Sequence, residues 1–111
     1  MAVARTHFIL LIQPSEDSFS RSFSDFETID ELMEGITDIY DDYIKKAFPS
    51  KSNITYDLLS ILKFVKGLRD ISCLEYKQIQ NMYIPHSKEW VAQELYKYLA
   101  KKHAEENRFN A

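Results

Sequence analysis

The side chains that could carry catalytic or metal-binding chemistry are few and widely spaced. His7, His86 and His103 lie far apart, and the sequence has no HxxxH or CxxC spacing of the kind that favours a zinc site. The single cysteine, Cys73, has no local signature of a catalytic triad around it. A lone cysteine in a strand is usually a small buried apolar residue. We therefore expect no metal site and no catalytic cysteine.

Carboxylates and glycines give little more support for an enzyme. Asp38, Asp41 and Asp42 could form an acid and base pair, but they better fit the solvent-exposed side of an amphipathic helix. With only two glycines, Gly35 and Gly67, the chain has no phosphate-binding loop. We expect no cofactor, and a small enzyme is the weakest of the functional hypotheses.

Size and composition indicate one globular domain. The chain has 111 residues, a mass of 13.1 kDa and 45% hydrophobic residues. A net charge of −3 argues against phosphate-driven nucleic-acid binding. One cysteine fits a reducing compartment. No run approaches the ~20 apolar residues of a membrane span, and the first seven residues are too polar for a signal peptide. We expect an intracellular protein, nuclear or cytoplasmic, with no membrane contact.

Residues 7–14, HFILLIQP, predict a strand that is apolar on both faces, since successive strand side chains point to opposite sides. One face carries Phe8, Leu10 and Ile12. The other carries Ile9 and Leu11, with His7 and Gln13 beside them. An antiparallel sheet of a small domain normally has one polar face. Both faces of this strand are apolar, so we expect other protein groups to pack against each of them.

The remaining elements follow from capping and periodicity. Residues 21–26 predict a second strand, and Thr28 with Glu31 forms a capping box for a first helix that Pro49 ends. Asp57 is the expected N-cap of a second helix. Strands at 72–77 and 82–85 follow, and Ser87 is the expected N-cap of a third helix.

The predicted order is β-β-α-α-β-β-α. It indicates an α+β fold, a four-stranded antiparallel sheet with three helices on one face. The domain would span residues 1–102, and residues 103–111 would form a charged, frayed tail. Because the helices cover one face only, the other would be an exposed apolar patch of the kind that marks an interface.

The chain resembles the enhancer of rudimentary homolog family from about Thr6 to about Lys102. The resemblance rests on an ordered set of motifs: THFILLIQP (6–14), FSDFE (23–27), MEGI (33–36), NITYDL (53–58), DISCLEY (70–76) and YIPHSKEW (83–90). It implies the same fold, a homodimer through the uncovered sheet faces, and no enzymatic activity. It also implies an adaptor that binds short segments of RNA-processing proteins. The processes served would be transcript elimination, splicing and microRNA processing, and thereby cell division and chromosome segregation.

Candidate site residues follow from the predicted faces and from the resemblance. The expected dimer interface comprises His7, Ile9, Leu11, Gln13, Phe23 and Tyr76. Tyr83, His86 and Trp90 predict an aromatic cluster around Pro85, interpreted either as core packing or as a pocket for a partner's peptide. Candidate phosphorylation sites are Ser22 and Thr28, which have an acidic residue three positions on and match positions proposed as casein kinase 2 targets in the family.

Some residues depart from the family pattern. Lys63, Lys66 and Gly67 stand where acidic residues or Ala are expected, and His86 stands where Tyr is usual. These changes indicate a divergent member with its own partners. The leading hypothesis is a homodimer that holds two client segments, and the alternative is a module that binds RNA directly through the open sheet face.

Overall fold

The computed structural model describes residues 5–49 and 58–110, and these contain four strands, three α-helices and a short 3-10 helix, Ser18–Ser20. The strands are β1 (Phe8–Gln13), β2 (Ser22–Phe26), β3 (Asp70–Lys77) and β4 (Met82–His86). The helices are α1 (Ile29–Ala47), α2 (Leu58–Gly67) and α3 (Lys88–Asn110). All strand pairs are antiparallel, in the order β2-β1-β3-β4. The predicted fold class and element order are confirmed.

The start of α1 follows the predicted capping box. The Thr28 hydroxyl accepts a hydrogen bond from the Glu31 backbone N–H at 3.1 Å. The Glu31 carboxylate reaches back to the Glu27 N–H, also at 3.1 Å, so two donors at the helix start are satisfied. Lys45 and Lys46 lie in the last turn, where they favour the negative end of the helix dipole.

The start of α3 and the end of α2 are linked. The Ser87 hydroxyl accepts from the Trp90 N–H at 3.3 Å, which confirms the predicted N-cap. The Lys88 ammonium then donates to the carbonyl oxygens of Leu68 at 2.6 Å and Lys66 at 3.2 Å. A cation thus satisfies carbonyls at the C-terminal end of α2. The predicted N-cap of α2, Asp57, lies outside the described residues.

The third helix is longer than predicted. It extends to Asn110, although a frayed tail was expected from residue 103. Residues 103–110 include Ala104, Glu105, Glu106 and Arg108, which are strong helix formers. No Gly or Pro stops the helix there. The composition of this segment is thus compatible with a helix, although its charge led to the prediction of a tail.

The core lies between the sheet and the helices. Phe8, Leu10 and Ile12 of β1 are at most 7% exposed. They join the buried side chains of β3 and the helices in one cluster. Gly35 of α1 lies against the ring of Phe26, because an added Cβ would be 2.5 Å from the nearest ring carbon. Glycine therefore allows α1 to approach β2 closely.

No helix in the described ranges has the length and apolar character needed to cross a membrane.

Candidate functional site on the open face of the sheet

The register of the strands defines a sheet surface that faces away from the core. Ile9 pairs with Asp25 and Leu74, and Leu11 pairs with Phe23 and Ser72. On the far side, Leu74 pairs with Pro85 and Tyr76 pairs with Tyr83. Because paired residues project to the same side, these side chains share a surface, which we call the open face. The open face comprises Ile9, Leu11, Phe23, Asp25, Ser72, Leu74, Tyr76, Tyr83 and Pro85, with His7 at one end.

The open face is apolar and accessible in the single chain. Phe23 is 77% exposed, and Leu11 and Tyr83 are each 39% exposed. Leu10, which points to the other side of the same strand, is fully buried. The described helices pack on the core side, so no described helix covers these side chains. A contiguous apolar surface of this kind usually marks an interaction site.

A polar network at one end of the open face connects β1 with both edge strands. The Nε2 atom of His7 lies 2.9 Å from Oδ2 of Asp25, and its Nδ1 atom lies 2.7 Å from the Tyr83 hydroxyl. An ionised carboxylate only accepts. When the imidazole is neutral, Nε2 therefore donates to Asp25, and Nδ1 accepts from the Tyr83 hydroxyl. The Tyr76 hydroxyl donates to Asn81 at 2.7 Å, so the aromatic side chains are held in place.

Gln13 differs from the other predicted interface residues. Its side chain is only 9% exposed. The amide donates to the Ser15 carbonyl, and the amide oxygen accepts from Arg21, both at 2.8 Å. The loop between β1 and β2 thus satisfies and covers Gln13 within one chain, which strand alternation alone could not reveal.

The structure brings together two residues of the predicted aromatic cluster, His86 and Trp90, and places Tyr83 elsewhere. The His86 and Trp90 rings stack with centroids 3.8 Å apart and planes within 11°. His86 pairs with the buried Cys73, so it points to the core side, whereas Tyr83 is three residues away and lies on the open face. The structure brings Tyr83 together with His7 and Tyr76 instead. A strand alternates with period two, and this alternation was the signal missed in the sequence.

His86 also takes part in an ion-pair cluster with Glu75. The Glu75 carboxylate oxygens lie 2.8 Å from Nε2 of His86 and 3.1 Å from Nζ of Lys77. Burial alone would raise the pKa of the Glu75 carboxyl. The hydrogen bonds and charges of His86 and Lys77 outweigh it and hold this pKa below its ordinary value of 4.5.

The two candidate phosphorylation sites differ in their surroundings. Ser22 is exposed at the start of the edge strand β2. Thr28 is exposed too, but its hydroxyl already accepts the capping hydrogen bond of α1. A phosphate on Thr28 would therefore alter the start of a helix.

Cys73 is unsuited to nucleophilic chemistry. It is fully buried in the core. Burial, and secondarily the charge of Glu75, raises the pKa of the Cys73 thiol to about 12. The thiolate is the reactive form, and it is scarce at neutral pH. Among residues 5–49 and 58–110, no three His, Cys, Asp or Glu side chains come together as metal ligands would.

Comparison with known proteins finds relatives that match most of the chain. The model of the family described as enhancer of rudimentary matches residues 4–105. An enhancer of rudimentary homolog from Caenorhabditis elegans is 39% identical over 85% of this chain and 91% of its own length. The protein enhancer of rudimentary from Drosophila virilis is 38% identical over 82% of this chain and 88% of its own. The homolog from Dictyostelium discoideum is 38% identical over 86% and 96%. The chain therefore belongs to the enhancer of rudimentary family.

Proposed function

We propose that this protein is a non-enzymatic, homodimeric adaptor in which two chains pack through their open faces. The observation that carries the proposal is the exposure of apolar side chains on the face opposite the helices: Phe23 at 77% and Leu11 at 39%. Ile9 and Leu74 are partly exposed beside them. A second copy is the simplest cover, since a two-fold axis places the same apolar surface on both sides.

The side chains of β1 alone are not expected to bury enough apolar area for a stable dimer. Full burial of an Ile or Leu side chain contributes roughly 1.5–3 kcal/mol, and Ile9 and Leu11 are already partly covered by their neighbours. Four such side chains in a dimer therefore contribute less than about 12 kcal/mol, against an association cost of about 4–15 kcal/mol. Phe23 and Tyr76 must add to the buried area, and Phe23 has the most exposed surface to lose.

The dimer would act by holding short linear segments of RNA-processing proteins. A two-fold axis creates two equivalent client sites, so one dimer could join two client chains. The processes served would be small-RNA processing, transcript elimination or splicing, and through them cell division and chromosome segregation. The compartment would be the nucleus, the cytoplasm or both. Family membership supports this proposal.

The dimer is tested by placing charges on the open face. Ile9→Arg with Leu11→Arg should give a monomer, because the two arginines of each chain would be buried without partners across the two-fold axis. The matched control is Phe19→Arg with Ile79→Arg, which replaces side chains that are 94% and 98% exposed and lie outside the four strands. Light scattering on the eluted peak measures the mass. A dimeric mass for the open-face variant would refute the interface.

Direct RNA binding through the open face is the second candidate function. The exposed aromatic rings of Phe23 and Tyr83 favour it, since sheet aromatics stack on bases in RNA-recognition domains. The side chains that define the open face include Asp25 but no Lys or Arg, however, and the net charge of the chain is −3. A gel-shift experiment at about 0.15 M salt separates the candidates. Micromolar affinity of the purified protein for RNA would favour this alternative over the adaptor.

A further inference from the structure

A groove between α1 and α2 has the properties of a peptide-docking site. Its volume is about 580 Å³, within the range of about 300–1,000 Å³ typical of ligand sites. Its walls are mostly apolar and include Tyr40, Tyr43 and Ile44 of α1 and Phe64 and Gly67 of α2. It lies on the helix side of the molecule. A dimer through the open face would therefore leave it accessible in both chains.

The aromatic wall of the groove is preformed. The Phe64 ring meets Tyr40 edge-on at a centroid distance of 5.4 Å and Tyr43 at 5.0 Å. Tyr40 is buried, which anchors the cluster, whereas Tyr43 remains 52% exposed. A rigid aromatic surface with one exposed ring suits an incoming apolar side chain, because little side-chain freedom is lost on binding.

The α2 side of the groove is basic. Lys63 lines it, Lys66 follows one turn later on α2, and Lys46 follows Tyr43 by one turn on α1. None of the three takes part in an ion pair between described residues. Asp38 and Asp42 lie two positions from Tyr40 and therefore on the opposite side of α1. Asp41 precedes Ile44 by one turn, so α1 brings both charges near the groove, whereas the described part of α2 brings only lysines.

We propose that this groove binds a partner segment in which large apolar side chains are flanked by acidic residues. The apolar residues would contact Tyr43 and Phe64, and the flanking carboxylates would pair with Lys63 and its neighbours. The proposal rests on the adaptor function above and assigns one of its client sites. A second copy of this chain is a poorer occupant, since its own groove has the same charge.

Gly67 provides a way to close the groove without disturbing the fold. An added Cβ would have no heavy atom within 4 Å, and the glycine does not have a positive φ. Gly67→Leu should therefore fold normally while its side chain occupies the groove. Lys63→Glu reverses the charge at the rim. Lys101→Glu, an exposed position on α3, is the matched control for charge.

The experiment is a selection of random peptides of about 12 residues on the purified full-length protein, followed by affinity measurement of the most enriched peptide. We expect apolar residues flanked by Asp and Glu. Gly67→Leu should weaken binding at least about tenfold, Lys63→Glu about threefold to tenfold, and Lys101→Glu less than about twofold. Raising the salt from about 0.05 to 0.5 M should also weaken binding.

Three results would overturn the groove assignment: no enrichment, enriched peptides without acidic residues, or equal binding to the Gly67→Leu variant. A peptide that binds elsewhere would still leave the adaptor function standing. Light scattering on the same samples checks the dimer separately, since Gly67→Leu should remain dimeric. Failure of the groove is thus distinguishable from failure of the proposed function.

Discussion

At the scale of single residues, Cys73 shows how burial makes a thiol a poor nucleophile. Its thiol is fully buried between β3 and the helices, and the pKa of about 12 leaves little thiolate near neutral pH. The sequence already favoured an inert cysteine, because no signature of a nucleophile surrounds it. The structure adds the physical reason, which is desolvation strengthened by the nearby Glu75 carboxylate.

Native Cys73 should therefore resist alkylation. At about pH 8, a thiol of ordinary pKa has about a thousand times more thiolate than one with a pKa near 12. Iodoacetamide should modify the folded protein at least about three orders of magnitude more slowly than the urea-unfolded protein, as measured by intact mass over time. Comparable rates in the two states would contradict the assignment of Cys73 to the core.

The face on which a side chain lies could be predicted where it depends only on the alternation within its own strand. Ile9 and Leu11 were placed correctly on one side of β1, because a strand alternates with period two. Gln13 follows the same alternation, but its burial depends on Arg21 and Ser15 of the following loop. Such a contact depends on the path of the loop, which the pattern of the strand does not contain.

At the scale of the elements, the sequence marked the first residues of α1 and α3 more clearly than the last residue of α3. The capping residues Thr28 and Ser87 marked the starts of α1 and α3 correctly, since each provides a hydrogen-bond acceptor for a free backbone N–H. The sequence offers no comparable signal for the end of α3, and the helix continues to Asn110, into the segment predicted to be a frayed tail. A charged segment without Gly or Pro has the same composition whether it is an exposed helix or a frayed tail.

Glu75 joins several elements through its carboxylate. It lies on β3, contacts His86 of β4, and through the stacked rings of His86 and Trp90 it reaches α3. The lowered pKa means that the folded state favours the ionised carboxylate. This contribution to stability is present above the ordinary carboxyl pKa of 4.5 and is lost as the pH falls through the lower folded value.

Replacing Glu75 by Gln should thus destabilise the protein in a pH-dependent way. Near pH 6 to 7 we expect a loss of about 1 kcal/mol, because the neutral amide loses the charge-assisted hydrogen bonds to His86 and Lys77. Below about pH 4 the difference from the parent should shrink, since the parent carboxylate becomes protonated as well. Urea unfolding at several pH values measures this difference. An equal difference at pH 3 and pH 7 would contradict the role assigned to the Glu75 charge.

At the scale of the whole molecule, the sheet separates two candidate sites, and only one of them could be predicted from the sequence. The open face could be predicted because it depends on the alternation within β1 and on helices that serve only the other face. The groove between α1 and α2 could not be predicted. Tyr43 and Phe64 come from separate helices, and only the packing of those helices brings the rings 5.0 Å apart.

If two chains pack through their open faces, folding and association are coupled, and stability must depend on protein concentration. A hundredfold rise in concentration should stabilise the folded dimer by about 2.7 kcal per mole of dimer and move the urea midpoint upward. Ile9→Arg with Leu11→Arg should abolish this dependence, because a monomer unfolds independently of concentration. Gly67→Leu should preserve it, since its groove lies on the helix side. A parent midpoint that stays constant across this range would show that dimerisation does not contribute to folding.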